Sequence, residues 1–152
     1  MTLEELLEQA AQEIVAEAMQ ALHKARLAHY ATLLPVETRA LCEELYEVIL
    51  ASVKTGSAAE MVAYSERLAR ERFDSGYSLF EIQTAINVME ECIWRKIMTN
   101  LPPSDSVPML GLVGTVLGAG KDALSRKFVA LASDHGAPSP SLGALFKGTD
   151  GV

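Results

Sequence analysis

Apolar residues recur at spacings of three and four almost from end to end of the chain, and no segment shows the sustained alternation of a half-buried strand. This spacing predicts an all-α protein. In the first segment Leu7, Ala11, Ile14, Ala18, Ala21 and Ala25 follow a four-three rhythm, and Val15, Met19 and Leu22 widen the stripe. The small alanines there would let a partner helix approach closely. Leu41, Leu45 and Val48, with Cys42, Tyr46, Ile49 and Val53, predict a second helix, and Met61, Ser65 and Leu68, with Val62, Ala69 and Phe73, a third. Leu79, Ile82, Ile86, Met89, Ile93 and Ile97 mark a fourth, and Leu110, Val113, Leu117, Leu124, Phe128 and Leu131 a fifth. The expectation is a five-helix bundle, each helix with one apolar stripe.

The boundaries are written in capping residues. Thr2-x-x-Glu5, Ser57-x-x-Glu60 and Ser78-x-x-Glu81 all have the form of a capping box, in which hydroxyl and carboxylate satisfy amide groups that the first helical turn leaves unpaired. Gly56 and Gly76 precede two of these boxes as left-handed helix stops. Tyr77 and Ile82 occupy the positions of a hydrophobic staple. Pro35 separates the first helix from the second, and Leu101-Pro102-Pro103-Ser104 the fourth from the fifth. After His135 the composition turns to Gly, Pro, Ser and small residues, which predicts a helical domain over 1–135 and an irregular tail over 136–152. Within that tail Leu142, Leu145 and Phe146 stand at i, i+3 and i+4, so one helical turn would offer three apolar anchors to a partner.

Composition narrows the function classes. A chain of 152 residues, 49% hydrophobic and 22% charged, is long enough for one domain with a real core. The net charge of -7 argues against unspecific nucleic-acid binding and against an anionic membrane surface. The start Met1-Thr2-Leu3-Glu4-Glu5 lacks the basic and apolar regions of a signal peptide, and the weakly polar run Val107 to Gly120 is short for a bilayer span. A cytoplasmic protein is expected. Cys42 and Cys92, each inside a predicted helix, are expected to be buried thiols rather than a disulfide framework.

No constellation of catalytic residues is visible. Gly114 to Lys121 superficially resembles a phosphate-binding loop, but its glycine spacing is wrong, Asp122 stands where the magnesium-binding hydroxyl belongs, and no strand precedes it. Close helix packing, inside the subunit or across a dimer, is the better reading of Gly111, Gly114 and Gly118. His23, His29 and His135 are the candidates for metal or haem ligation, yet His23 and His29 lie six apart and off a common helix face, and no Glu-x-x-His pair accompanies them. His23-Lys24-Ala25-Arg26 does not match a phosphotransfer signature. Glu43-Glu44 and Glu90-Glu91 are neighbours that point apart on a helix, and Arg67, Arg70 and Arg72 alternate with Glu66, Glu71 and Asp74 as ion pairs would. Neither catalysis nor a cofactor nor a metal is expected.

One stretch carries a family resemblance. Arg70-Glu-Arg-Phe-Asp-Ser-Gly76-Tyr-Ser78-Leu79-Phe-Glu81-Ile82, followed by Ala85 and Ile93-Trp94, resembles the N-terminal domain of RsbR-type sigma-factor co-antagonists of the stressosome. The resemblance implies a non-haem, globin-like helical fold that dimerises and serves as a sensory input without catalysis. In that family a phosphorylatable STAS domain usually follows, in whose place this sequence has the short tail, so a stand-alone regulatory module is expected. It would be a homodimer with a protein partner in a bacterial regulatory pathway. Trp94, Gly111, Gly114 and Gly118 are the candidates for the dimer interface, and Leu142, Leu145 and Phe146 for partner capture. The alternative is a globin-like sensor with a small molecule or haem between its helices.

Overall fold

The structure is a computed structural model that describes residues 1–134. Within them the chain is all-α, with six α-helices and one 3-10 turn: α1 (Leu3–Gln9), α2 (Ala11–Lys24), the 3-10 turn (Tyr30–Thr32), α3 (Pro35–Thr55), α4 (Ala59–Asp74), α5 (Leu79–Asn100) and α6 (Pro103–Asp134). The helical class is as expected, but the count of five becomes six among the described residues. The first expected helix is two, interrupted at Ala10, whose φ of -93° and ψ of 4° leave the helical region. The Leu7 carbonyl, which an unbroken helix would offer to the Ala11 amide, accepts the Tyr46 hydroxyl of α3 at 2.5 Å. A long-range hydrogen bond thus replaces a local one, and the apolar rhythm through Leu7 and Ile14 gives no sign of it.

Most boundary signals act as the sequence suggests. Thr2 and Ser78 both form reciprocal capping boxes with Glu5 and Glu81. Gly56 and Gly76 take φ of 67° and 84°, and the following amides reach back to the carbonyls of Ser52 and Arg72, closing each helix with a left-handed turn. Ser57 is the exception: its hydroxyl accepts the Ala59 amide at 3.2 Å, and Ala58 stands at the cap without a side-chain bond. Pro35 opens α3 at its first turn, where a missing amide hydrogen does no harm, and Glu37 reaches back to the Leu34 amide at 2.9 Å.

The core is continuous. Leu7, Ile14, Ile49, Met61, Ile82, Ile86, Met89, Ile93, Ile97, Val113, Leu117 and Leu124 are fully buried, so every α-helix contributes to it. Helix α5 lies between α2 and α6, and α6 also packs along α4. The expected thiols are there too: Cys42 and Cys92 are free and buried, and burial pushes the Cys42 thiol up to about 11. Gly114 to Lys121 lies inside the unbroken helix α6, so no phosphate-binding loop forms there. That helix has 32 residues and passes the length and composition test for a bilayer span, unlike the shorter run Val107 to Gly120 taken alone. Its apolar side nonetheless joins the core through Val113, Val116, Leu117 and Leu124.

Close packing within the subunit falls on a different glycine from those expected. A Cβ on Gly111, Gly114 or Gly118 would meet nothing within 4 Å, whereas one on Gly120 would lie 2.7 Å from Met61 Cγ and Cε and 3.0 Å from Ser65 Oγ. Gly120 is therefore the residue that lets α6 approach α4. Gly120→Val is expected to lower the unfolding free energy by about 2 kcal/mol through overpacking, measured by urea denaturation followed by circular dichroism. An unchanged midpoint would mean that Met61 swings aside freely.

Candidate functional site

The stretch from Arg70 to Ile82 forms the turn between α4 and α5, and its side chains gather the segment that links α2 to α3. Ser78 caps α5 and Glu81, three residues on, accepts the Ser78 amide at 2.9 Å. The same carboxylate accepts the His29 amide at 2.8 Å, and its second oxygen lies 2.8 Å from His29 Nδ1. Glu81 is buried, its side chain 7% exposed against 41% for His29. Burial alone would push the Glu81 carboxyl up, but the amides of His29 and Ser78 and the His29 ring together hold it below the usual carboxylate range.

Aromatic rings continue the cluster. Tyr77 stacks on His29 with ring centres 4.7 Å apart and meets Tyr30 edge-on at 5.0 Å. The Arg72 guanidinium stands 5.3 Å from the Tyr77 ring centre and 6.0 Å from that of Tyr30. Arg67 pairs with Glu44 at 2.6 Å and Glu71 at 3.8 Å, as the alternating charges imply. Arg72 also pairs with Glu71, at 4.0 Å, but its buried Nε has no hydrogen-bond partner among the described residues. Burial pushes the Tyr30 phenol up, and the charge of Arg72 works against that rise.

A second feature is the seam between α5 and α6. Gln83 donates to Ser125 Oγ at 2.7 Å, and Lys121 Nζ bonds Asn87 at 3.1 Å and Glu90 at 2.9 Å. In this antiparallel register each step forward on α5 is a step back on α6, which brings Trp94 level with Gly114 and Met98 with Leu110. Positions 107, 111, 114, 118, 121 and 125 follow one another at helical spacing along the same flank of α6. The polar pairs of Gln83, Asn87 and Glu90 across this seam thus lie toward the start of α5. On α5 beyond Glu90, Trp94 is 44% and Met98 62% exposed, and on α6 a Cβ at Gly111, Gly114 or Gly118 would meet nothing within 4 Å. Trp94 also borders a shallow cavity of about 240 Å³ with Asn87, Glu90 and Glu91.

The other expected residues fall apart in space. His29 is engaged by Glu81, His23 is exposed at the end of α2, and His135, Leu142, Leu145 and Phe146 lie outside the described residues. Among the described residues no group of three or more His, Cys, Asp and Glu side chains comes together to hold a metal ion. Glu90 of the Glu90-Glu91 pair bonds Lys121 while Glu91 bonds Arg95, so the two carboxylates do point apart.

The sequence pattern of the RsbT co-antagonist protein rsbRD N-terminal domain matches residues 4–144. The chain belongs to that family. The family is regulatory, and the resemblance at the turn from α4 to α5 is thereby extended over nearly the whole chain. Comparison with curated proteins and with solved structures yields no significant match. In this RsbRD-family domain, Glu81 reads in the sequence only as a capping residue. Its bond to His29 spans 52 positions, and no local spacing announces it.

Because the folded Glu81 carboxyl titrates below its unfolded value, protonation favours the unfolded chain. The stability it supplies is fully present above the unfolded value of about 4.3 and is lost as pH falls through the lower folded value. Glu81→Gln is expected to cost about 1.5–3 kcal/mol at neutral pH and to flatten the fall in stability below about pH 4.3. Urea midpoints of both proteins from pH 3 to 7 check this, and parallel curves would show that Glu81 is not a major acid-sensitive group.

Proposed function

We propose that the chain is a non-catalytic input module of a bacterial regulatory pathway, working as a homodimer through the far end of the seam between α5 and α6. Family membership supports the regulatory role. What favours this particular surface is an exposed tryptophan and methionine on α5 together with glycines on α6 whose missing side chains leave open space, which the antiparallel register would bring to one face. Trp94 serves as the anchor, and Gly111, Gly114 and Gly118 form the trough beside it. A dry, two-fold contact of this kind would sense any change in how α5 lies on α6.

The globin-like helix arrangement, the cytoplasmic location and the division into a domain over 1–135 and a tail over 136–152 belong to the same reading. So does the tail motif of Leu142, Leu145 and Phe146, which would offer apolar anchors to a protein partner. That part is supported by sequence spacing alone.

Sedimentation velocity tests the interface. The unaltered chain is expected to sediment as a dimer at micromolar concentration, and Trp94→Glu, or Gly114→Leu with Gly118→Leu, to shift it to monomer with its helicity retained. A monomer in both cases, or a dimer that survives both changes, would remove this surface from consideration. The glycine pair gives a second reading: in a lone subunit Gly118→Ala should gain up to about 1 kcal/mol of helix stability, whereas at a close interface it should weaken the dimer.

A further inference from the structure

A cavity of about 320 Å³ opens where the end of α2, the 3-10 turn and the start of α3 meet, at the lower end of the range for small-molecule sites. Its apolar wall comes from Met19, Leu22, Tyr30 and Leu33, and His23 and Lys24 stand at its edge. In a chain with 20 acidic residues against 13 Lys and Arg, none of the described lining residues is acidic, and Lys24 is the one permanent charge among them. No carboxylate among the described residues pairs with Lys24, although Lys54, Lys96 and Lys121 are each engaged by a glutamate.

Two further features surround the cavity. Leu22 and Tyr30 also line an inner space of about 30 Å³, bordered by Arg72, whose Nε lacks a partner. Between Lys24 and Tyr30 the backbone passes through Arg26 at φ of 51°, a left-handed conformation that disfavours a side chain and is more often kept where it shapes a site.

We propose that this cavity binds a medium-chain monocarboxylate. The carboxylate meets Lys24 Nζ with His23 beside it, and the hydrocarbon lies on Met19, Leu22, Leu33 and the Tyr30 ring. Flexible aliphatic walls suit an alkyl chain, and a single cation with no acidic residue among the described lining selects one negative charge over a neutral or cationic head. Tyr30 lines the site and meets the Tyr77 ring edge-on, and Tyr77 itself stacks on His29. A ligand pressing on Tyr30 therefore bears on the Glu81–His29 clasp. The binding claim goes beyond the dimer reading and does not depend on it.

The test uses the full chain, labelled with nitrogen-15 and titrated with sodium octanoate and, separately, with 1-octanol. Octanoate is expected to give saturable amide shifts centred on residues 19–33, with 1-octanol at least tenfold weaker. Lys24→Glu should weaken octanoate at least tenfold and leave 1-octanol unchanged. Ala31→Trp, which fills the cavity from an exposed lining position, should weaken both while circular dichroism shows the fold intact. Absence of saturable shifts in that segment, equal affinity for the alcohol, or octanoate affinity within twofold of the unaltered chain in Lys24→Glu would each overturn the proposal. Because every readout is a binding isotherm on whichever oligomer forms, its failure is separate from failure of the dimer surface.

Discussion

The Glu81 carboxylate ties together two parts of the chain that lie 52 positions apart. It completes the cap of α5 by accepting the Ser78 amide, a local duty, and it accepts the amide and ring nitrogen of His29, a distant one. A buried carboxylate needs such partners, because burial without them would favour its neutral form. Meeting that need fixes the linker between α2 and α3 against the start of α5. The stack of Tyr77 on His29, the edge contact with Tyr30 and the seat of Arg72 lie at the same junction.

This arrangement puts a junction of hydrogen bonds and stacked rings beside a cavity. The junction concentrates hydrogen bonds and rings where α4 turns into α5, while the far half of α5 carries Trp94 and Met98 into solvent. Helix α5 is thus held firmly at its start through Glu81, and by polar pairs to α6 as far as Glu90. Beyond that point Ile93 and Ile97 of α5 and Val113 and Leu117 of α6 are fully buried in the core.

The glycines of α6 show how one residue type serves opposite ends. Gly120 is buried because Met61 and Ser65 of α4 occupy the space where a side chain would go, and Gly111, Gly114 and Gly118 face open space on another flank. Their helical spacing alone cannot separate these roles. Which flank meets α4 depends on how α6 is rotated in the bundle, and that rotation follows from burying Val113, Leu117 and Leu124 together.

The sequence by itself determined the helical class, the apolar stripes and most helix ends, because each of these depends on residues within one or two turns. A capping box at Ser78, a left-handed glycine at 76 and Pro35 at a first turn act locally, so they are legible locally. Only the tertiary structure decided the break at Ala10, where the Tyr46 hydroxyl takes the Leu7 carbonyl across 39 positions, and the second duty of Glu81 across 52. It likewise decided that Gly120 is the packed glycine and that Arg72 faces rings. Those outcomes depend on which surfaces the core brings together, and a pattern along one chain carries no record of a partner that arrives from a distant helix.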